Sequence, residues 1–246
     1  MFANFDLGVF LLAVLPVLLA ITVREVARGY TARYWGDHTG EQLGRLTLNP
    51  LPHIDPVGTI VVPLVCLMIG SFLFGWARPM PIDSRNFRDP RRAWRWVSIS
   101  GPIANLILAF FWGFVVVLAA YVPESYQAPL AQMAGYGVMV NSIWVAFSLI
   151  PILPWDGGIF IDTFLNAKQS MQFRKIEPYG TWIILILLFT GLLAKLIWPI
   201  IAMIQAAVKL FFICCIEMLG RKGRSETQFQ TAFFIVQHVN TIGKVA

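Results

Sequence analysis

Ile21-Thr22-Val23-Arg24-Glu25-Val26-Ala27-Arg28-Gly29-Tyr30 closes an apolar run that begins at Leu7. No residue from Leu7 to Val23 is charged, and then three full charges fall within five positions. A run of this length can cross a bilayer as a helix. A charge at membrane depth is expensive and calls for a partner or a path to water. The stretch therefore predicts a membrane helix from Leu7 to about Tyr34, kinked near Pro16, with one polar face near its end. Arg24 and Arg28 share that face, and Glu25 lies about a quarter-turn round from Arg24.

The chain has 246 residues, 57% of them hydrophobic and 13% charged. A soluble domain carries about a quarter charged residues, so the composition points to an integral membrane protein. The apolar runs are long and lack the alternation of barrel strands, which makes it the all-α kind. The formal charge of +6 then reads as a topology signal, and no nucleic-acid module is visible. Cys66, Cys214 and Cys215 lie in apolar runs without C-x-x-C spacing and read as small hydrophobes. Met1–Asp6 has no basic region, so the first apolar run reads as a retained helix.

Gly36-Asp37-His38-Thr39-Gly40 should end the first helix. Leu43 to Pro56 holds Pro50, Pro52 and Pro56, which forbid a regular helix and predict an irregular or strand-like membrane-associated passage. Val57–Trp76 is uncharged, but Pro63 and Gly70 interrupt it. Ala77 to Arg95 carries six arginines and should face the cytoplasm, in contact with anionic lipid, with Trp94 and Trp96 as interfacial anchors. Spans are predicted at Trp96–Val122, Leu130–Trp155 and Tyr179–Ala194. Leu196–Ile216 is either a further span or a bent continuation. Together these give about five to six membrane helices in one domain, residues 1–219, with a cytoplasmic tail at 220–246. Arg24 and Asp156 can share the cytoplasmic end only if Val57–Trp76 is re-entrant or is balanced by membrane-buried backbone before it. Both arrangements stay open.

The Arg24-Glu25-x-x-Arg28 spacing is that of H-E-x-x-H, where two imidazoles hold zinc and the glutamate acts as base. Both histidine positions are arginine here. Guanidinium has no lone pair to donate and stays protonated in proteins. The chain also contains Gly44-Arg45-Leu46-Thr47-Leu48-Asn49-Pro50-Leu51-Pro52-His53-Ile54-Asp55-Pro56-Val57-Gly58-Thr59 and Gly75-Trp76-Ala77-Arg78-Pro79-Met80-Pro81. Gly101-Pro102-Ile103-Ala104-Asn105 and Pro151-x-x-Pro154-x-Asp156-Gly157-Gly158 follow. In this order the set resembles the site-2 protease family of intramembrane zinc metalloproteases, in its compact bacterial branch, over Leu7 to about Leu193.

The resemblance implies a bacterial-type inner-membrane protein whose site lies near the cytoplasmic face and whose relatives cut membrane-spanning segments of other proteins. It places the catalytic glutamate at Glu25, the zinc ligands at positions 24, 28 and Asp156, and substrate contacts at Asn141 and position 148. Asn141 matches, but Ser148 stands where the family has asparagine. With Arg24 and Arg28 non-ligating, zinc binding should be lost or weak and peptide hydrolysis impaired. Two arginines carry the same +2 as a zinc ion between neutral histidines. They are therefore expected to pair with Glu25 and Asp156 rather than to snorkel toward headgroups. Two rivals remain: an active zinc protease with other ligands such as His53, and a small channel or transporter. The expected partners are membrane lipid and transmembrane segments of other proteins.

Overall fold

The first helix, α1 (Leu7–Tyr34), runs unbroken past Pro16. It stops where the sequence predicts, because Gly36 takes the left-handed φ of 109° that reverses the chain. This is a computed structural model that describes residues 7–61 and 77–218.

After a single helical turn at Thr39–Gln42 the chain is irregular. A 3-10 turn forms at Leu51–His53 and a π-helical turn at Pro56–Val61, where Asp55 caps the amides of Val57 and Gly58 at 2.9 and 2.7 Å. The prolines explain the irregularity, and no strand occurs among the described residues. Most of Val57–Trp76 lies outside the described residues, so neither arrangement weighed for it is decided.

Arg78 to Ile82, without regular structure, runs against this passage. The Arg78 amide donates to the His53 carbonyl, and Arg45 donates to the carbonyls of Arg78 and Pro79. Asp37 fastens the next stretch to the end of α1. Its carboxylate accepts from the Thr39 amide and hydroxyl, the Asp83 amide and the Asn86 side chain. Burial alone would raise the Asp37 pKa, but these donors outweigh it and hold the carboxyl below its ordinary value. Beneath this clasp Ala32, Phe87, Ala93 and Val97 form a small core. Trp94 packs edge-on against Phe87 there, while Trp96 is exposed, so only Trp96 sits as an interfacial anchor would.

Helix α2 (Pro90–Leu118) begins under an Asp89 cap, and α3 (Glu124–Ser148) returns antiparallel to it after one 3-10 turn. Together with α1 these make a three-helix centre. The chain then breaks at Leu149–Trp155 and forms the short α4 (Asp156–Asp162) against α2 and α5 (Ala167–Arg174). Gly157 and Gly158 have a steric reason: a Cβ on either would collide with backbone of Leu149–Leu153. The double glycine thus lets α4 fold directly back on the break.

Helix α6 (Glu177–Phe189) has 13 residues, about 20 Å, against a hydrocarbon layer of about 30 Å. The predicted span at Tyr179–Ala194 is therefore only partly realised, and Gly191 breaks it with φ 70°. Helix α7 (Leu192–Met218) is long enough to cross. Its early residues Leu193, Ile197 and Ile201 pack with Ala146 and Ile150, whereas Val208 and Phe212 lie against Gly113. It thus runs antiparallel to α3 and closes the core of Trp112, Val116, Ala134 and Val138.

The protein is all-α and membrane-embedded, with three described helices, at Pro90–Tyr121, Glu124–Ser148 and Leu192–Cys214, long and apolar enough to cross. α1, 28 residues long, carries its charges in its second half. The residues of the proposed tail lie outside those described.

Candidate functional site

The charged face of α1 turns inward. Arg24 is 6% exposed, Glu25 5% and Asp156 4%. Asp156, the first residue of α4, receives both arginines. Arg24 Nη2 donates to Oδ2, and Arg28 Nη1 donates to Oδ1 at 2.8 Å. The arginines therefore pair with the aspartate rather than reaching for headgroups.

The remaining donors of Arg24 are held as well. Nη1 donates to Ser148 Oγ at 2.7 Å and makes a long 3.5 Å contact with Asn105 Oδ1, while the guanidinium lies 5.1 Å from the Trp144 ring centre. The Ser148 hydroxyl donates in turn to the Trp144 carbonyl. Asn105 donates to Asn141 Oδ1 at 2.9 Å and to the Ala20 carbonyl, and Asn141 donates to the Gly137 carbonyl. The candidate substrate contacts Asn141 and Ser148 are thus both buried in an internal network, Ser148 directly on Arg24 and Asn141 one residue further away. Buried polar groups at this depth need such partners, and here the partners come from α1, α2, α3 and α4.

Glu25 faces a different neighbour. Its Oε2 accepts the Met80 amide at 2.6 Å, and its Oε1 is 3.8 Å from Arg24 Nε. The Arg78–Ile82 segment therefore docks on the carboxylate itself. His53 is also buried, with Nε2 2.9 Å from the Thr47 carbonyl. A carbonyl only accepts, so Nε2 carries the proton, and Nδ1 has no partner among the described residues.

Gly101 explains how two arginine stems fit between α1 and α2. A Cβ there would lie 3.2 Å from Arg24 Cγ and 3.5 Å from Arg28 Cγ. Asn105, Trp144 and the Met80 amide are site contacts that the sequence reading did not assign. Asn105 was within reach of it, since it sits one helical turn beyond Gly101 in a segment already singled out.

A protein of Bacillus subtilis called "Putative zinc metalloprotease YwhC" is 36% identical over 204 residues, which cover 81% of this chain and 90% of that protein. The chain belongs to the site-2 protease-like zinc metalloproteases. "Putative zinc metalloprotease Rip2" of Mycolicibacterium smegmatis is 28% identical, covering 76% of this chain and 70% of that protein. Its namesake in Mycobacterium tuberculosis strain H37Rv is 23% identical, over 73% and 67%. No family model matches, and no solved structure matches.

Zinc is the metal of these metalloproteases, and the donor set here does not fit it. A catalytic zinc takes about three protein ligands with lone pairs and leaves one position for water. Arg24 and Arg28 offer none, and both Asp156 oxygens are already hydrogen-bonded to them. No group of three or more His, Cys, Asp or Glu side chains able to hold a metal occurs among the described residues. The site can instead hold a carboxylate tightly between two fixed cations.

Proposed function

We propose that this chain is a catalytically impaired site-2 protease-like protein of a bacterial-type inner membrane, with the arginine-rich end of its bundle toward the cytoplasm. In this reading it engages membrane-spanning segments of other proteins without efficient peptide hydrolysis. One observation carries the proposal: Arg24 and Arg28 both bind Asp156, so the position of a third metal ligand is filled by an internal ion pair. Glu25 is engaged by the Met80 amide, and a site that does not hold zinc would give it no activated water to deprotonate. The rivals draw less support. Among the described residues His53 stands without two further ligands, and no paired half-helices in matching halves, such as transporters carry, occur.

The test compares the purified full chain with the Arg24→His/Arg28→His double variant. Zinc per chain and cleavage of a membrane-spanning reporter are measured on both. The expected result is about one zinc in the double variant and far less in the parent, with any cleavage confined to the variant. Stoichiometric zinc and cleavage in the parent would refute the reading.

A further inference from the structure

An open groove of about 480 Å³ lies between the ends of α1 and α2, lined by Tyr30, Thr31, Tyr34, Trp35 and Trp96. Its size falls within the range of small-molecule sites. It is separate from the buried Arg24–Asp156 network and has no part in the proposed function. Tyr30 is 53% exposed, Tyr34 79% and Trp96 52%, so three large aromatic side chains stand open at one place. Tyr34 and Trp35 meet edge to face at 6.0 Å, which fixes one wall.

The depth of the groove follows from both helices. On α1 the charge-free run ends at Val23, so Tyr30 and Tyr34 lie about two to three turns beyond it. On α2 the last charge is Arg95, so Trp96 stands where the apolar span begins. Both put the groove at headgroup level, where amphipathic rings are favoured.

Two arginines neighbour the residues that line the groove. The Arg88 amide donates to the Trp35 carbonyl, and its side chain runs along Gly36, next to Trp35. Arg92 lies one turn before Trp96 on the same face of α2. Both arginines are exposed. Arg92 has Asp89 at 3.3 Å, while no ion pair to Arg88 occurs among the described residues. We infer that the groove is a binding site for a single anionic phospholipid, with its phosphate at Arg88 and Arg92 and its glycerol and upper acyl chain against Tyr30, Tyr34 and Trp96. Charge complementarity selects this occupant: a phosphate matches Arg88 and adds to Asp89 at Arg92, a zwitterionic lipid matches them less well, and an apolar protein segment leaves Arg88 unmatched.

The experiment is native mass spectrometry of the full chain in detergent, with phosphatidylglycerol and phosphatidylcholine added in equal amounts. The parent should retain one phosphatidylglycerol in preference to phosphatidylcholine. Arg88→Gln and Arg92→Gln should each cut that preference about fivefold. Tyr34→Ala with Trp96→Ala should remove the retained lipid while leaving elution and thermal midpoint unchanged, since both side chains are largely exposed. Equal retention of the two lipids by the parent overturns the inference, and that arm needs no variant. Undiminished phosphatidylglycerol retention in Tyr34→Ala/Trp96→Ala also overturns it, because diffuse attraction to the arginines would then suffice. A dimer of the chain that the same double variant abolishes would assign the groove to a second copy and overturn it too.

Discussion

Replacing Asp156 by alanine leaves Arg24 and Arg28 facing each other in a buried site, with Glu25 3.8 Å from Arg24 Nε as the nearest countercharge in the cluster. The Arg28–Asp156 pair at 2.8 Å has a Coulomb energy of about 6 kcal/mol at an effective dielectric constant near 20. Much of that offsets the desolvation of the two charges. Removing one partner from a buried pair has a measured cost of about 3–5 kcal/mol, because a bare charge stays behind. For a chain of this size that corresponds to a fall in thermal midpoint of roughly 6–20 °C. The assay heats detergent-solubilised parent and variant and measures the monodisperse fraction by size exclusion. A double-mutant cycle isolates the interaction. In an Arg24→Leu/Arg28→Leu background the same Asp156→Ala change should cost little, since no stranded cation remains. If Asp156→Ala costs less than about 1 kcal/mol in the parent, as for a surface pair, the buried charge network described above is wrong.

Gly101→Leu should cost about 1–3 kcal/mol by overpacking the arginine stems, while Gly101→Ala, 3.2 Å from a flexible stem carbon, should cost less; thermal midpoints of the two variants check the order. Gly180→Ala should be severely destabilising, since its Cβ would collide with the Leu153 carbonyl, and yield of folded protein is the readout. Asp37→Asn should lower stability at neutral pH by about 1–3 kcal/mol, because one carbonyl oxygen cannot accept from all four donors. The folded Asp37 pKa is depressed, so its contribution is present above the unfolded value of 3.8 and is lost as pH falls through the lower folded value. Parent and Asp37→Asn should therefore converge in stability as pH drops below 3.8, as melting curves at stepped pH will show.

Much of this was legible because membrane helices write themselves in plain hydropathy. The end of α1 at Tyr34 follows from turn residues, and the pairing of the arginines with Asp156 from the cost of leaving them bare. Other features are invisible to hydropathy. The run from Tyr179 is apolar enough to cross, yet Gly191 ends α6 early, because a glycine at φ 70° breaks a helix without changing polarity. Trp94 and Trp96 look alike as interfacial residues, but their different angular positions on α2 send one toward Phe87 and the other outward. The Met80 amide on Glu25 leaves no trace in residue type, since any residue but proline supplies that donor.

The partners in the Arg24–Asp156 ion pair are 132 positions apart in the chain. At a synthesis rate of about 5–20 residues per second, α1 waits roughly 7–26 s after its arginines emerge before their acidic partner is made. During that interval the two guanidinium groups lack their acidic partner, and burying them would carry the cost of a bare charge. The ion pair thus ties stable burial of the charged face of α1 to the arrival of α4, and a chain that ends before residue 156 is expected to bury that face less stably.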